Sequence, residues 1–324
     1  MLFEFGAPLL ALLTSAACGR VLLHYGLLPM DLPNQRSSHG RPVPRAGGLA
    51  IWAGWGAALL AAGASGNWIL PGFVLAAISY ADDRRGLPVA WRLTVHLIAA
   101  AAFVLTSLPL THWTLQTALV LAIIWMLNLF NFMDGSDGLA ASVAFLGFAS
   151  YAIVALGAED RNFFTVTASL AAACLAFLWL NWSPARVFMG DTGSVPLGFL
   201  AAALGVEGWS RGLWASWFPV LVFLPFIADA TLTIGKRAAR GARVWEAHRE
   251  HAYQSLLLLG WRHGRVATCY AAFMLGCCAS AILCNRLAPD RGLAALLAWG
   301  TLLGLGYWWV AGLVRRRDGV SDAR

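Results

Sequence analysis

What most constrains the fold of this chain is where its charges are not. About eleven apolar segments follow one another, at roughly 3–24, 47–64, 68–81, 93–109, 112–131, 138–157, 163–181, 194–206, 212–234, 266–285 and 293–313. Charged residues fall almost wholly between them. One perpendicular crossing of a bilayer needs roughly 20 apolar residues, and several of the segments reach that length. Charged residues make up 12% of the 324, against about 25% in soluble domains. Lipid offers the backbone no hydrogen-bond partner, so spans must be helices that satisfy themselves. The expectation is an all-α polytopic membrane protein of about ten to eleven transmembrane helices. It forms one integral domain over 1–324.

Lysine and arginine orient the chain. Arg36, Arg41 and Arg45, then Arg84, Arg85 and Arg92, then Arg186, seven residues from Lys236 to Arg265, and Arg315, Arg316, Arg317 and Arg324 fall on one side. These are eighteen of the 23 basic residues. The positive-inside rule puts the N-terminus outside and the C-terminus in the cytoplasm of a bacterial inner membrane. Inner loops then lie at about 25–46, 82–92, 132–138, 182–193 and 235–265. The net charge of +7 is orientation and excludes a nucleic-acid partner. The first segment has Glu4 where a signal peptide carries positive charge, so it reads as an uncleaved span. All six cysteines sit in apolar segments as small hydrophobes. Trp68, Trp209, Tyr307 and Trp309 stand near span ends, where aromatic belts form.

Three of these segments end in acid. Asn128, Asn131, Asp134 and Asp137 stand at intervals of three behind the run 112–131. Asp82-Asp83 follows 68–81, and Asp191-Thr-Gly-Ser194 follows 163–181. Ionisable residues at membrane depth cost a few kcal/mol and mark function. All three clusters fall on the inner side, which suggests one convergent site. Carboxylates select hard cations such as Mg2+, which usually arrive with phosphates, and arginines grip phosphate in a planar fork. Asn128 and Asn131 can share a helix face, and Gly135 and Gly138 break the helix beyond them. The chemistry inferred is Mg2+-dependent phosphoryl transfer at the inner membrane surface, with Mn2+ as the alternative cation. A transporter using membrane acids as a cation path predicts acids spread along the spans, which this distribution disfavours. Asp229 reads equally as a site residue or a helix partner. His39 and His96 read as structural, while His24, His112 and His263 have no assignable role.

The motifs Asp82-Asp83, Asn128-x-x-Asn131-x-x-Asp134-Gly-x-Asp137-Gly, Asn181-x-x-Pro184 through Phe188-Met-Gly-Asp191-x-Gly-Ser194, and His248-Arg-Glu-His251 together resemble a known family. It is the polyprenyl-phosphate N-acetylhexosamine-1-phosphate transferases, of WecA and MraY type. The likeness runs over about 31–254. The loop from Asp31 to His39, with Pro42, Pro44, Arg45, Gly47 and Gly48 after it, is most similar to the WbpL-like branch that starts O-antigen synthesis. The resemblance implies transfer of a sugar-1-phosphate from a UDP-sugar to undecaprenyl phosphate, releasing UMP. Its sugar would be an N-acetylated hexosamine or 6-deoxyhexosamine.

By the same resemblance Asp191 is the Mg2+ ligand, with Asn131 a second. Asp82 and Asp83 would deprotonate or orient the lipid phosphate, and Asp134 and His251 complete the catalytic set. Asn128, Asn131, Asp137 and Asn181 line the substrate pocket, Phe188 stacks on uracil, Arg92 and Arg41 clamp phosphate, and His248 stands beside His251. WecA-like relatives carry a histidine-rich cluster where Ala252-Tyr253-Gln254 follows here. That argues against the muramoyl-pentapeptide substrate. The CDP-alcohol phosphotransferases, a rival class, need an arginine and later aspartates that this chain lacks. Undecaprenyl phosphate, a UDP-sugar and membrane lipid are the implied partners, with a homodimer as the assembly state to test.

Overall fold

The computed structural model describes residues 5–33, 41–243 and 248–321. Each apolar segment is helical, as the self-satisfied backbone requires. In order they are α1 (Gly6–His24), the strands β1 (Met30–Asp31) and β2 (Val43–Pro44), α2 (Gly48–Ala62), α3 (Ile69–Arg85), α4 (Val89–Ser107), α5 (Trp113–Met133), α6 (Leu139–Gly157) and α7 (Arg161–Asn181). Then come α8 (Asp191–Ser210), α9 (Trp217–Val222), α10 (Leu224–Ala239), α11 (Ala252–Leu258), α12 (His263–Leu287) and α13 (Gly292–Ser321). The all-α multi-pass architecture expected above is what forms. Among the described residues, seven helices are long and apolar enough to cross a membrane: α1, α4, α5, α6, α7, α12 and the stretch Pro289–Arg317. The other segments, α2, α3, α8 and the α9–α10 pair, pack among these.

Burial sorts the helices. On α8 the residues from Thr192 to Ala201 are buried without a break, and it packs against α2, α3 and α5. A helix apolar on every face belongs inside. At the periphery Leu97, Ile98 and Leu105 of α4 and Leu297, Leu305 and Trp309 of α13 stay exposed, as lipid-facing positions do. The first turn of α2 meets α8 almost backbone to backbone. A β-carbon on Gly48 would strike the main chain of Gly193 and come within 2.9 Å of the Thr192 carbonyl carbon. The Trp52 indole donates to the Thr192 carbonyl at 2.7 Å.

Four sequence expectations need correction. The segment 212–234 is two helices, broken at Phe223, because Pro225 has no N–H to continue the ladder of α9. The loop at 25–46 is not without regular structure: Met30 pairs with Pro44 and Asp31 with Val43 in an antiparallel ladder. The polar stretch 235–265 carries α11. Trp68 is buried against Trp55, ring centroids 5.4 Å apart, rather than in an interfacial belt. The cysteines of the described residues are free, with Cys174, Cys277 and Cys278 buried. Arg36 and His39 lie outside the described residues, as do 244–247 within the long polar stretch.

Candidate active site

Three helix ends meet, and each brings carboxylates for a local reason. α3 ends at Gly86, whose φ of 66° is one that side chains resist, and this leaves Asp82 and Asp83 in its last turn. α8 opens at Asp191 after Gly190, whose φ is 71°. The first amides of any helix lack partners within it, and here a carboxylate from another helix supplies them. Asp83 accepts from the Thr192 amide at 2.9 Å, the Thr192 hydroxyl at 2.6 Å and the Asp191 amide at 3.2 Å. It also pairs with Arg45. Asp82 accepts from the Leu87 amide at 2.5 Å and from Arg92 Nη1 at 2.7 Å. The same Arg92 nitrogen reaches Asp191 Oδ2 at 3.2 Å. Arg92 thus ties the end of α3 to the start of α8.

α5 supplies the third end, where Asp134 is its C-cap. Burial, then the charges of Asp191 and Asp83, push the Asp134 carboxyl well above the ordinary carboxylate range. Arg45 and the Gly190 amide pull the other way. Asn131, one turn back, faces the same space. Asn128 does not: its amide donates to the Ile124 carbonyl of its own helix at 2.7 Å. The expectation that Asn128 and Asn131 share the site is corrected. A drift of about 60° per three residues is enough to turn one of them away.

Asp134, Asp191 and Asn131 open onto a cavity of about 600 Å3. Asp31, Arg45, Asp137, Asn181, Phe188, Arg249, Gln254, Trp261 and His263 also line it. Asp137 accepts from the Ala185 amide at 3.1 Å and lies 3.8 Å from His263 Nδ1. Asn181 is a brace: its oxygen accepts from the Gly138 amide at 3.0 Å and its nitrogen donates to the Val187 carbonyl at 2.9 Å. Phe188 has its main chain pinned, donating to Pro44 at 2.8 Å and accepting from Gly47 at 2.9 Å. Phe188 lines the cavity.

Several expected residues stand behind the wall. Asp82 and Asp83 do not line the cavity. His251 is 2% exposed and caps α11, with Nδ1 3.6 Å from Asp229. The His248 ring lies beside it, tilted by 32°, with centroids 4.9 Å apart. Neither histidine lines the cavity. Asp229 is the helix partner: it accepts from the amides of Ala252 at 2.8 Å and Tyr253 at 3.2 Å and from the Tyr270 hydroxyl at 2.5 Å. Arg41 donates to the Ala185 carbonyl at 3.3 Å and lines a separate groove. Sequence reasoning missed Asp31, Arg45, Arg249, Gln254, Trp261 and His263 as cavity residues. His263 opens α12 and receives the Asp137 amide at 3.3 Å, 126 positions away. No local signal marks such a residue.

The sequence compares with known proteins as follows. Residues 67–208 match the model for "Glycosyl transferase family 4". A probable undecaprenyl-phosphate N-acetylglucosaminyl 1-phosphate transferase of Bacillus subtilis is 28% identical over 254 residues, covering 72% of this chain and 71% of that protein. A decaprenyl-phosphate N-acetylglucosaminephosphotransferase of Mycobacterium leprae is 28% identical, covering 95% and 89%. A phospho-N-acetylmuramoyl-pentapeptide-transferase of Bifidobacterium adolescentis is 40% identical over a shorter 113 residues, covering 28% and 31%. The matched span runs from before α3 through most of α8 and so contains the acidic ends of α3, α5 and α8; over these residues the chain is similar to glycosyl transferase family 4.

Proposed function

We propose that this protein transfers a sugar-1-phosphate from a UDP-sugar to undecaprenyl phosphate. The products are undecaprenyl-diphospho-sugar and UMP, and the reaction takes place on the cytoplasmic face of a bacterial inner membrane. One observation carries this reading: Asp134 and Asp191, with Arg45 and Arg92 beside them, meet where membrane-length helices end at one cavity. A lipid phosphate and a soluble nucleotide can meet only at such a boundary. The relatives named for polyprenyl-phosphate substrates support it. So does the gathering of basic residues on one side of the chain.

The residues present fit a magnesium ion. Asp82, Asp83, Asp134 and Asp191 bring four carboxylates to two guanidiniums, Arg45 and Arg92. A divalent cation would relieve the crowding that lifts the Asp134 carboxyl. Among the described residues no three acids, histidines or cysteines form a ready cage. That suits Mg2+, which is usually held by one or two carboxylates and the substrate's own phosphates. Asp191, Asp134 and the Asn131 amide oxygen would hold it, and Mn2+ could replace it. When bound, the ion neutralises charge that builds on the diphosphate.

The chain's own groups do the rest. The acceptor phosphate oxygen attacks the β-phosphorus of the UDP-sugar, forming one P–O bond. The bond from that phosphorus to the bridging oxygen breaks, and UMP leaves with the electron pair. A phosphate monoester has its second pKa near 6, so the acceptor is largely dianionic at neutral pH and needs no base. Asp83 and Asp82 then act by holding α8, Arg45 and Arg92 in place. Arg45 and Arg249, not Arg41, face the phosphates, and Phe188 with Trp261 offers aromatic surface to uracil. Base–aromatic stacking is worth about 1–3 kcal/mol.

N-acetylglucosamine and N-acetylated 6-deoxyhexoses are the donors to try, and O-antigen or another envelope polysaccharide is the pathway proposed. Membranes supplied with undecaprenyl phosphate, Mg2+ and a panel of UDP-sugars and CDP-alcohols should release UMP with a lipid product of matching mass. Product from CDP-alcohols alone would overturn the reading.

A further inference from the structure

A second groove, of about 760 Å3, lies at the end of α7, outside the acidic cavity. Leu175, Leu178, Trp179 and Trp182 give it an apolar lining, and Arg41 and Arg186 contribute charge. Three of its large side chains are well exposed: Leu175 at 40%, Trp179 at 53% and Trp182 at 42%. Arg186 from the loop after α7 and Arg20 from α1 both lie over the Trp179 ring, 4.8 and 4.9 Å from its centroid. Among the described residues neither Arg20 nor Arg186 forms an ion pair. Two cations thus share one aromatic ring with no counter-ion among the described residues. Cation–π attraction recovers about 0.5–1 kcal/mol each at exposed sites, while the two charges repel. An anion reaching both guanidiniums would remove that repulsion.

We propose that this groove holds an anionic phospholipid, its phosphate on Arg20 and Arg186 and an acyl chain along Leu175 and Leu178. A soluble phosphate would satisfy the arginines but leave the apolar lining bare. A zwitterionic lipid would cover the lining but bring its own ammonium to a basic site. The groove and the acidic cavity share one loop. Arg41 donates to the Ala185 carbonyl, and the Ala185 amide donates to Asp137 in the cavity. Phe188 and Gly190 follow on the same strand of chain. An occupied groove therefore bears on the wall of the acidic cavity.

The test is native mass spectrometry of the purified full chain with phosphatidylglycerol or phosphatidylcholine added at matched concentration. Phosphatidylglycerol should bind in preference, and Arg20→Gln with Arg186→Gln should weaken its retention about 30-fold, near the product of two arginine–headgroup contributions. Arg291→Gln, at an exposed arginine in the turn between α12 and α13, should leave retention unchanged. Arg186→Lys should keep most of it, which guards against a variant that merely misfolds. Equal retention in the double variant, or equal binding of phosphatidylcholine, overturns the proposal. Displacement by glycerol phosphate at the lipid's own concentration does so too, reassigning the groove to a soluble anion. One-for-one displacement by a short polyprenyl monophosphate would make it a substrate vestibule instead.

Discussion

Replacing Asp83 by Asn separates a brace from a proton acceptor. The wild-type carboxylate takes three hydrogen bonds from the start of α8 and pairs with Arg45. Asn keeps the shape but only one acceptor oxygen, so its N–H2 group faces either Arg45 or Thr192, both donors. A buried hydrogen bond to a charged group is worth about 1.5–3 kcal/mol. Arg45 left without its partner adds less than the roughly 3–5 kcal/mol of a fully buried broken pair, because its side chain is 33% exposed. The variant should lose about 3–4 kcal/mol of stability. Thr192→Val, which removes only the hydroxyl at 2.6 Å, should lose about 1.5–3 kcal/mol. The two losses share a bond, so the double variant should fall short of their sum by about 1 kcal/mol or more. Denaturant unfolding of the four proteins in mixed micelles measures this. UMP release followed across pH measures the consequence for Asp191. A small displacement of that residue should cost about 100-fold in rate with the shape of the pH profile unchanged. Wild-type stability together with a lost acid limb in Asp83→Asn would refute the brace and make Asp83 a proton carrier.

Other expectations rest on the same geometry. Asp191→Ala should abolish UMP release and, without substrate, weaken Mn2+ binding read by electron paramagnetic resonance; full activity would remove Asp191 from the site. Chelation with EDTA should stop turnover and Mg2+ should restore it, whereas activity that survives exhaustive chelation excludes the ion. Gly48→Ala should cost about 1–3 kcal/mol by overpacking, because the new methyl meets the Gly193 main chain; unchanged unfolding would show that the contact can relax. Asp229→Ala should release α11, leaving the Ala252 and Tyr253 amides unpaired at about 1–3 kcal/mol each, and proteolysis between 240 and 262 should quicken while cleavage elsewhere does not.

The helices were legible because spans leave a long, unambiguous trace: the segments at 138–157 and 163–181 match α6 and α7 to within two residues. The break at Phe223 was less so, since hydropathy does not register a missing N–H, although Pro225 is the visible cause. The acidic clusters were legible as clusters, but their division of labour was not. Asp82-Asp83 and Asp134 look alike along the chain. Only the packing of α8 against α3 turns Asp83 toward an unsatisfied helix end and leaves Asp134 on the cavity. Arg41 and Arg45 are equally basic and four residues apart, and the β1–β2 ladder decides which one meets the acids. His263 and Trp261 were invisible for a plainer reason. They come from the start of α12 and the turn before it, and nothing local says that this turn closes over α5.

The near-contact of α2 with α8 has a consequence for how such a pocket can change. At Gly48 and Gly193 two main chains meet with no side chains between them, and the Gly48 amide is bonded to the Met189 carbonyl at 3.0 Å. A joint of that kind has no rotamers to exchange, so the wall bearing Asp191 behaves as an anvil. The opposite wall, α11 with Gln254, Leu257 and Leu258, is tied by side chains, the Asp229 carboxylate and the Tyr253 hydroxyl on the Phe132 carbonyl, and can be redrawn residue by residue. Remodelling for a larger or differently decorated sugar is therefore confined to one side of the cavity, while the reactive side stays where it is.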